Sequence, residues 1–289
     1  GIKSVSTDTG AGYTGTDATG REVKIPKKPE RIMGNSASID TMLLGVVTPD
    51  KLIAATEADR DPAISYIAND TKNIKMTVPL MGLSMELVTE AKPDLIIAST
   101  YTKGEQLDRS IEEVESDIRI IAAATGEKER GEKVVAKMDE MLTESDKRLS
   151  EEKGKKPVVF LVSQMTRYGG PGSMFNELLT RARLENAIGL AGVSNGQMIS
   201  PEQIVKVDPD MFFVSTDRES DTTRASRYRD SFLANPAIAQ MRAAKHIVPV
   251  DDRYIYAASQ NAVYAVRALA NAAYGPIFDM SGEKQIRGY

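Results

Sequence analysis

Two glutamates stand at matching points of a repeated stretch. Residues 84–100 read SMELVTEAKPDLIIAST and residues 200–216 read SPEQIVKVDPDMFFVST. Ser84 answers to Ser200, Glu86 to Glu202, Pro93-Asp94 to Pro209-Asp210 and Ser99-Thr100 to Ser215-Thr216, each 116 positions on. Carboxylates so placed can form charge-assisted pairs with cations on a partner. They can also favour a helix N-terminus through the macrodipole. Other reactive side chains are scarce. Cysteine is absent, which excludes disulfides, thiolate metal sites and cysteine nucleophiles. The single histidine, His246, cannot build a multi-histidine zinc site or support hydrolase chemistry across the chain, and reads as a surface or strand-start residue. RYGGPGS at 167–173 lacks the G-K-[ST] ending of a phosphate loop, so no nucleotide site is expected there.

The elements that must position these residues follow from pattern. At 289 residues the chain suits one large domain or two, and 41% hydrophobic residues suffice for a core. No run approaches the roughly 20 apolar residues of a membrane span. A net charge of −4 gives no support to nucleic-acid binding. Residues 1–16 are polar and read as a flexible arm, with no basic region leading into an apolar core. Such an arm fits a cytosolic start, or the segment that follows a signal or lipid anchor.

Beyond it, REVKIP reads as an edge strand, RIMG as a buried strand, and Asn35-Ser36 as the cap of a helix ending near Gly45. KLIAAT, TVPLMG, DLIIAST, IRIIAA, PVVFLVS, MFFVST and HIVPVD read as further strands, with helical patterns between most of them. This alternation implies α/β lobes with parallel sheets. The charged stretch 127–155 carries Val134, Met138, Met141, Leu142 and Leu149 at helical spacing and reads as one long helix, closed by Gly154 and Pro157. The expected layout is an N-terminal lobe at 17–126, an interdomain helix at 127–155 and a C-terminal lobe at 156–289. The repeat marks equivalent positions in the two lobes.

The D-x-x-G-R-x-V-x-I-P…P-x-R-I pattern at 17–32, the two E-x6-P-D segments and the stretch VSQMTRYGGPGSMFNELLTRARLENAIGLAG resemble the substrate-binding proteins of ABC importers for iron-siderophores, haem and cobalamin. The resemblance runs from about residue 17 onward. It implies two Rossmann-like lobes bridged by one long helix, with a ligand cleft between them and no enzymatic activity. It implies that Glu86 and Glu202 dock on arginines of a permease dimer. It also implies a monomer working as a periplasmic or cell-surface lipoprotein, held to the membrane through a lipid anchor, with no intrinsic cofactor.

Ligand contacts are then expected at the carboxyl ends of strands, where open α/β sheets form crevices. Those positions carry Asn35, Ser36 and Tyr101 in the first lobe, with Met81, Thr102 and Lys103 nearby. In the second they carry Arg167, Tyr168, Met174, Arg218, Tyr254 and Tyr256, with Asp217 beside them. Arginine forks and aromatic faces suit an anionic, partly apolar Fe(III) chelate. Haem would need tyrosine or methionine as its iron ligand, and the absence of tryptophan weighs against cobalamin. The competing reading is a two-domain α/β enzyme with an internal duplication, which would need cluster cysteines or a glycine-rich strand-to-helix loop. The sequence has neither.

Overall fold

A buried parallel strand must satisfy its backbone from both neighbours and its side chains from both faces, so it reads as a continuous apolar run. LIIAS, VVFLV and MFFVS are such runs, and all three are strands. The structure, a computed structural model, describes residues 2–6, 13–16, 20–25, 27–79, 82–99, 110–163, 167–216 and 223–289. The chain forms two compact units. The first comprises Gly1–Glu140, Ala258–Asn261 and Lys284–Tyr289, and the second Met141–Ala257 and Ala262–Glu283.

In the first unit the order is β1 (Ile2–Ser6), β2 (Tyr13–Thr16), β3 (Glu22–Ile25), β4 (Ile32–Gly34), α1 (Ala37–Val46), β5 (Ala54–Thr56), α2 (Ala68–Thr71), β6 (Met76–Val78), α3 (Met85–Ala91), β7 (Leu95–Ser99) and α4 (Ile111–Thr125). Strands β4 and β7 pair in parallel, as do β5 and β6. Met33, Ala54, Val78 and Ala91 join these strands to α3 in one core. Two expectations need correction. The first sixteen residues are not simply an arm: β1 pairs antiparallel with β7, and β2 with β3. Without β1, strand β7 would present an open edge of unpaired N–H and C=O groups. The run IRIIAA is not a strand but part of α4. Ile111, Val114, Ile118, Ile121 and Thr125 recur every three or four residues and are all buried. Ser110 caps that helix, its Oγ accepting from the Glu113 N–H at 3.0 Å, and Gly126 closes it at φ +73°.

The long helix α5 (Lys128–Leu149) has 22 residues, and the division between the units falls within it. In the second unit come β8 (Val158–Val162), α6 (Met174–Arg181), β9 (Glu185–Asn186), α7 (Ala187–Leu190), α8 (Pro201–Val207), β10 (Met211–Ser215), α9 (Thr223–Ala234), α10 (Pro236–Ala239), β11 (Ile247–Val250), α11 (Asp252–Ile255) and α12 (Ala262–Tyr274). Its sheet runs β11-β10-β8-β9, parallel throughout. Phe160, Phe212 and Phe232 fill one of its faces, with ring centroids 5.3–5.9 Å apart.

The expected C-terminal block is not contiguous, because its last residues belong to the first unit. There Arg287, Gly288 and Tyr289 meet carbonyls at the end of α1 that have no partner within the helix, while Gln260 and Gln285 reach a carbonyl one turn earlier. Gln260 and Gln285 both donate to Thr41 O at 2.9 Å, Arg287 to Leu44 O at 3.0 Å, Gly288 N to Gly45 O at 2.7 Å and the Tyr289 hydroxyl to Val47 O at 2.9 Å. Only glycine fits at 288, since a Cβ there would collide with the Arg130 carbonyl.

Deep in the first unit, Asp40 and Asp59 are 0% and 1% exposed and meet at Thr56. Thr56 donates its N–H to Asp59 Oδ2 at 2.9 Å and its hydroxyl to Asp40 Oδ2 at 2.8 Å. Burial, and then the adjacent Asp40 carboxyl, push Asp59 up to about 11; burial also raises Asp40. The pair therefore holds a proton that an unfolded aspartate gives up near pH 4. The favourable contribution is complete below that pH and is lost as pH rises toward the folded-state value. Thermal midpoints should decline between pH 5 and 10, and Asp59→Asn, which supplies the hydrogen bond without a titrating proton, should flatten that decline. Equal slopes in the two proteins would show that the pair does not share a proton.

Candidate functional site

The repeated stretch is one motif built twice. Ser84 Oγ accepts from Leu87 N at 3.1 Å to start α3, and Ser200 Oγ accepts from Gln203 N at 3.2 Å to start α8. Gln203 returns the bond, its Oε1 accepting from Ser200 N at 2.8 Å to complete a capping box. Each helix runs seven residues and ends on a left-handed residue, Lys92 at φ +51° and Asp208 at φ +52°. A proline then prevents the helix from resuming. The aspartate after it reaches the start of the neighbouring parallel strand. Asp94 accepts from Glu30 N and Arg31 N, both at 2.9 Å, and Asp210 from Val158 N at 2.7 Å. Glu86 and Glu202 each occupy the second position of their helix and are exposed. Neither carboxylate has a side-chain partner among the described residues.

At the carboxyl end of β4, Asn35 clamps two strands together. Its Oδ1 accepts from Ser99 N at 3.0 Å and its Nδ2 donates to Ser99 O at 3.3 Å. Ser36 caps α1, accepting from Ile39 N at 3.3 Å. Both are half-buried, and both already serve the fold. Tyr101, Met81, Thr102, Lys103, Asp217 and Arg218 lie outside the described residues.

In the second unit, Arg167 is exposed where the chain leaves β8. It stands over a recess of about 10 Å³ lined also by Ser163, Tyr168, Gln197 and Tyr228. That volume holds one water. Tyr168, next in sequence, is 9% exposed and donates its hydroxyl to Ile255 O at 2.9 Å. Burial raises its pKa, and its ring lies 5.3 Å from that of Tyr256. Tyr254 is half-buried and donates to Glu283 Oε2 at 2.6 Å; burial first, then this carboxylate, raises its pKa. Arg253 lies 3.8 Å from the other oxygen of Glu283. Met174 does not reach the surface. It is 1% exposed in the core at the start of α6, directly after the capping residue Ser173.

Sequence reasoning missed Gln197 and Tyr228, which come to the recess from segments far along the chain. It also missed a polar group at the end of β10. Ser215 Oγ donates to Asp252 Oδ1, and Arg229 donates to Ser215 O at 3.0 Å. Serine closing each of the apolar runs, at Ser99, Ser163 and Ser215, was the available signal.

With this geometry in view, comparison with known proteins decides the family. The profile of the periplasmic binding protein family matches residues 34–247. The chain belongs to this family. A curated relative, the uncharacterized ABC transporter substrate-binding lipoprotein YvrC of Bacillus subtilis, is 24% identical over 91% of this chain and 85% of its own length. A Staphylococcus epidermidis structure described as a possible iron-binding, periplasmic solute-binding protein superposes with a TM-score of 0.68 at 17% identity, over 86% of this chain and all of that one. A periplasmic heme binding protein from Pseudomonas aeruginosa gives 0.64 at 17%, over 85% and 93%. At these identities the structures establish the fold. The chain is an ABC-type substrate-binding protein, and its role is binding rather than catalysis.

In this binding protein the Tyr168 hydroxyl ties the segment after β8 to the end of α11. Tyr168→Phe should therefore lower stability by about 1 kcal/mol, read as a lower urea midpoint at an unchanged slope. An unshifted midpoint would mean that the hydroxyl does not serve the fold.

Proposed function

We propose that this protein captures a ferric siderophore outside the cytoplasmic membrane and delivers it to the permease dimer of an ABC importer. The observation that carries the reading is the contrast between Arg167 and its neighbours. The guanidinium is exposed at the carboxyl end of β8, whereas the phenols of Tyr168 and Tyr254 are already hydrogen-bonded to Ile255 O and Glu283. Such a wall offers cationic and ring-face contacts to a chelate whose iron already has its ligands. The whole chain supplies one histidine and no cysteine, so imidazole and thiolate donors for a naked transition metal are nearly absent. The Staphylococcus structure, described as possibly iron-binding, is consistent with such cargo.

On this reading Arg167 and Arg218 pair with chelator oxygens, the Tyr254 and Tyr256 rings supply faces, and Asn35, Ser36 and Tyr101 contribute polar edges from the first unit. The protein works as a monomer held near the membrane by a lipid anchor, as the lipoprotein relative suggests. Glu86 and Glu202, exposed at equivalent helix starts, meet permease arginines in charge-assisted pairs.

Titrating tyrosine fluorescence with a ferric trihydroxamate, a ferric catecholate, haem and cobalamin tests the cargo. Saturable binding of a ferric siderophore is expected, with Arg167→Ala weakening it at least about tenfold. A Soret shift with haem alone, or no binding by any of the four, would overturn the assignment.

Docking is tested separately. Glu86→Ala and Glu202→Ala should leave chelate affinity within about twofold while iron uptake by cells falls, because a rim carboxylate acts on the encounter with the permease. A tenfold loss of chelate affinity would put these carboxylates in the ligand site instead.

A further inference from the structure

The repeat sets β7 and β10 in equivalent places, and each has a strand on either side. On one side the match is complete. Strands β4 and β8 run parallel to them, and Asp94 and Asp210 reach the starts of those strands. On the other side the match breaks. Strand β10 is flanked by β11, parallel, with Phe212 opposite Ile247 and Ser215 opposite Val250. Strand β7 is flanked by β1, antiparallel, with Ile2 opposite Ser99 and Ser6 opposite Leu95. In the chain β11 follows β10 by way of α9 and α10. After β7, among the described residues, come only α4 and α5 before the chain reaches β8 in the second unit. The first unit therefore takes from residues 2–6 what the second takes from its own following strand.

The backbone groups at this edge can be named, because successive residues of a strand turn their N–H and C=O to opposite sides. Leu95 N bonds to Arg31 O, Ile97 lies opposite Gly34, and Ser99 N and O bond to the Asn35 side chain, so these three residues face β4. Ile96 and Ala98 face outward, and their register partners are Val5 and Lys3. Helix α4 packs against β1 and β2, which holds the segment at this edge. We propose that the outer edge of β7 is an acceptor site for an extended peptide, and that residues 2–6 of the same chain are its exchangeable occupant. Recognition is by main-chain hydrogen bonds at Ile96 and Ala98, the mode in which a peptide adds a strand to a sheet. The occupant arrives from a distant part of the sequence and not through a tight hairpin, so another peptide of the same sequence can replace it. Antiparallel pairing also brings Ile2 to the end of β7 at which Asn35 holds Ser99. A second copy of the chain offers the same strand and is the competing occupant.

Proline tests the ladder directly, because it removes one N–H. In the full chain, Val5→Pro removes a donor that faces Ile96. The Ser4 N–H points away from β7, where an edge strand tolerates proline. Hydrogen exchange at the Ile96 and Ala98 amides should quicken at least about tenfold in Val5→Pro and stay within about twofold of wild type in Ser4→Pro. A synthetic peptide of residues 1–8, added to Val5→Pro, should restore the protection. Protection kept in Val5→Pro, or equal quickening in both variants, overturns the site. No restoration by the peptide overturns the exchange and leaves β1 a fixed part of the sheet. Should Val5→Pro fold poorly, cysteine pairs decide in a chain that has no cysteine of its own. Lys3→Cys/Ala98→Cys should oxidise to an intramolecular disulfide in preference to Lys3→Cys/Ile96→Cys, which is out of register. A disulfide-linked dimer would make the second copy the occupant and overturn the assignment to the same chain. No preference between the two pairs overturns the pairing itself.

Discussion

The N–H groups at the start of a buried parallel strand precede the ladder and have no partner in it, yet they cannot be left without one. Asp94 and Asp210 resolve this in the two units, each reaching from the start of its own strand to the start of the next. The proline before each aspartate and the left-handed residue before that stop a seven-residue helix at a fixed point. Strand register follows from these contacts: Ile32 opposite Leu95 in one sheet, and Val159 opposite Met211 in the other. Register in turn decides which residues stand at the carboxyl ends. It brings Asn35 to Ser99 in the first unit. In the second it brings Ser163 and Ser215 to the ends of adjacent strands. The same helices carry Glu86 and Glu202 outward. One carboxylate-to-backbone contact thus sets both the strand ends and the exposed helix start of each unit.

Much of this was legible because it is local. The serine cap, the helix stop and the Pro-Asp pair act within a dozen residues, and the repeat exposes them by showing them twice. The 22-residue α5 was legible from its apolar stripe alone. What could not be read depends on partners distant in the chain. IRIIAA is apolar enough for a strand, and only Val114 and Ser110 upstream reveal the helix that contains it. Residues 2–6 become a strand because β7 offers them an edge. The last residues join the first unit because α1 ends there with unsatisfied carbonyls.

The site shows the same divide at finer scale. That Arg167-Tyr168 follows a strand was readable, but which of the two faces solvent was not. A single step along the backbone exposes the guanidinium and buries the phenol against Ile255. Met174 shows the same limit: it follows a serine cap just as Met85 does, yet it lies in the core whereas Met85 is exposed. Composition narrows the chemistry but does not orient any side chain. The orientation of Tyr168 is set by a hydrogen bond to a residue 87 positions away.

These orientations bear on how a delivery protein can release what it holds. A phenolate–iron bond would fix cargo to the protein through metal coordination, and transfer would have to break it. Here the phenols of Tyr168 and Tyr254 are committed to a backbone carbonyl and a carboxylate, and burial favours their neutral forms. To ligate iron, each would lose both its proton and that bond. A guanidinium on an exposed rim holds an anionic chelate through contacts that water and a competing cation can replace. Under the proposed function, capture and hand-over both use contacts that exchange without covalent or coordinative change. For a carrier this matters more than maximal affinity.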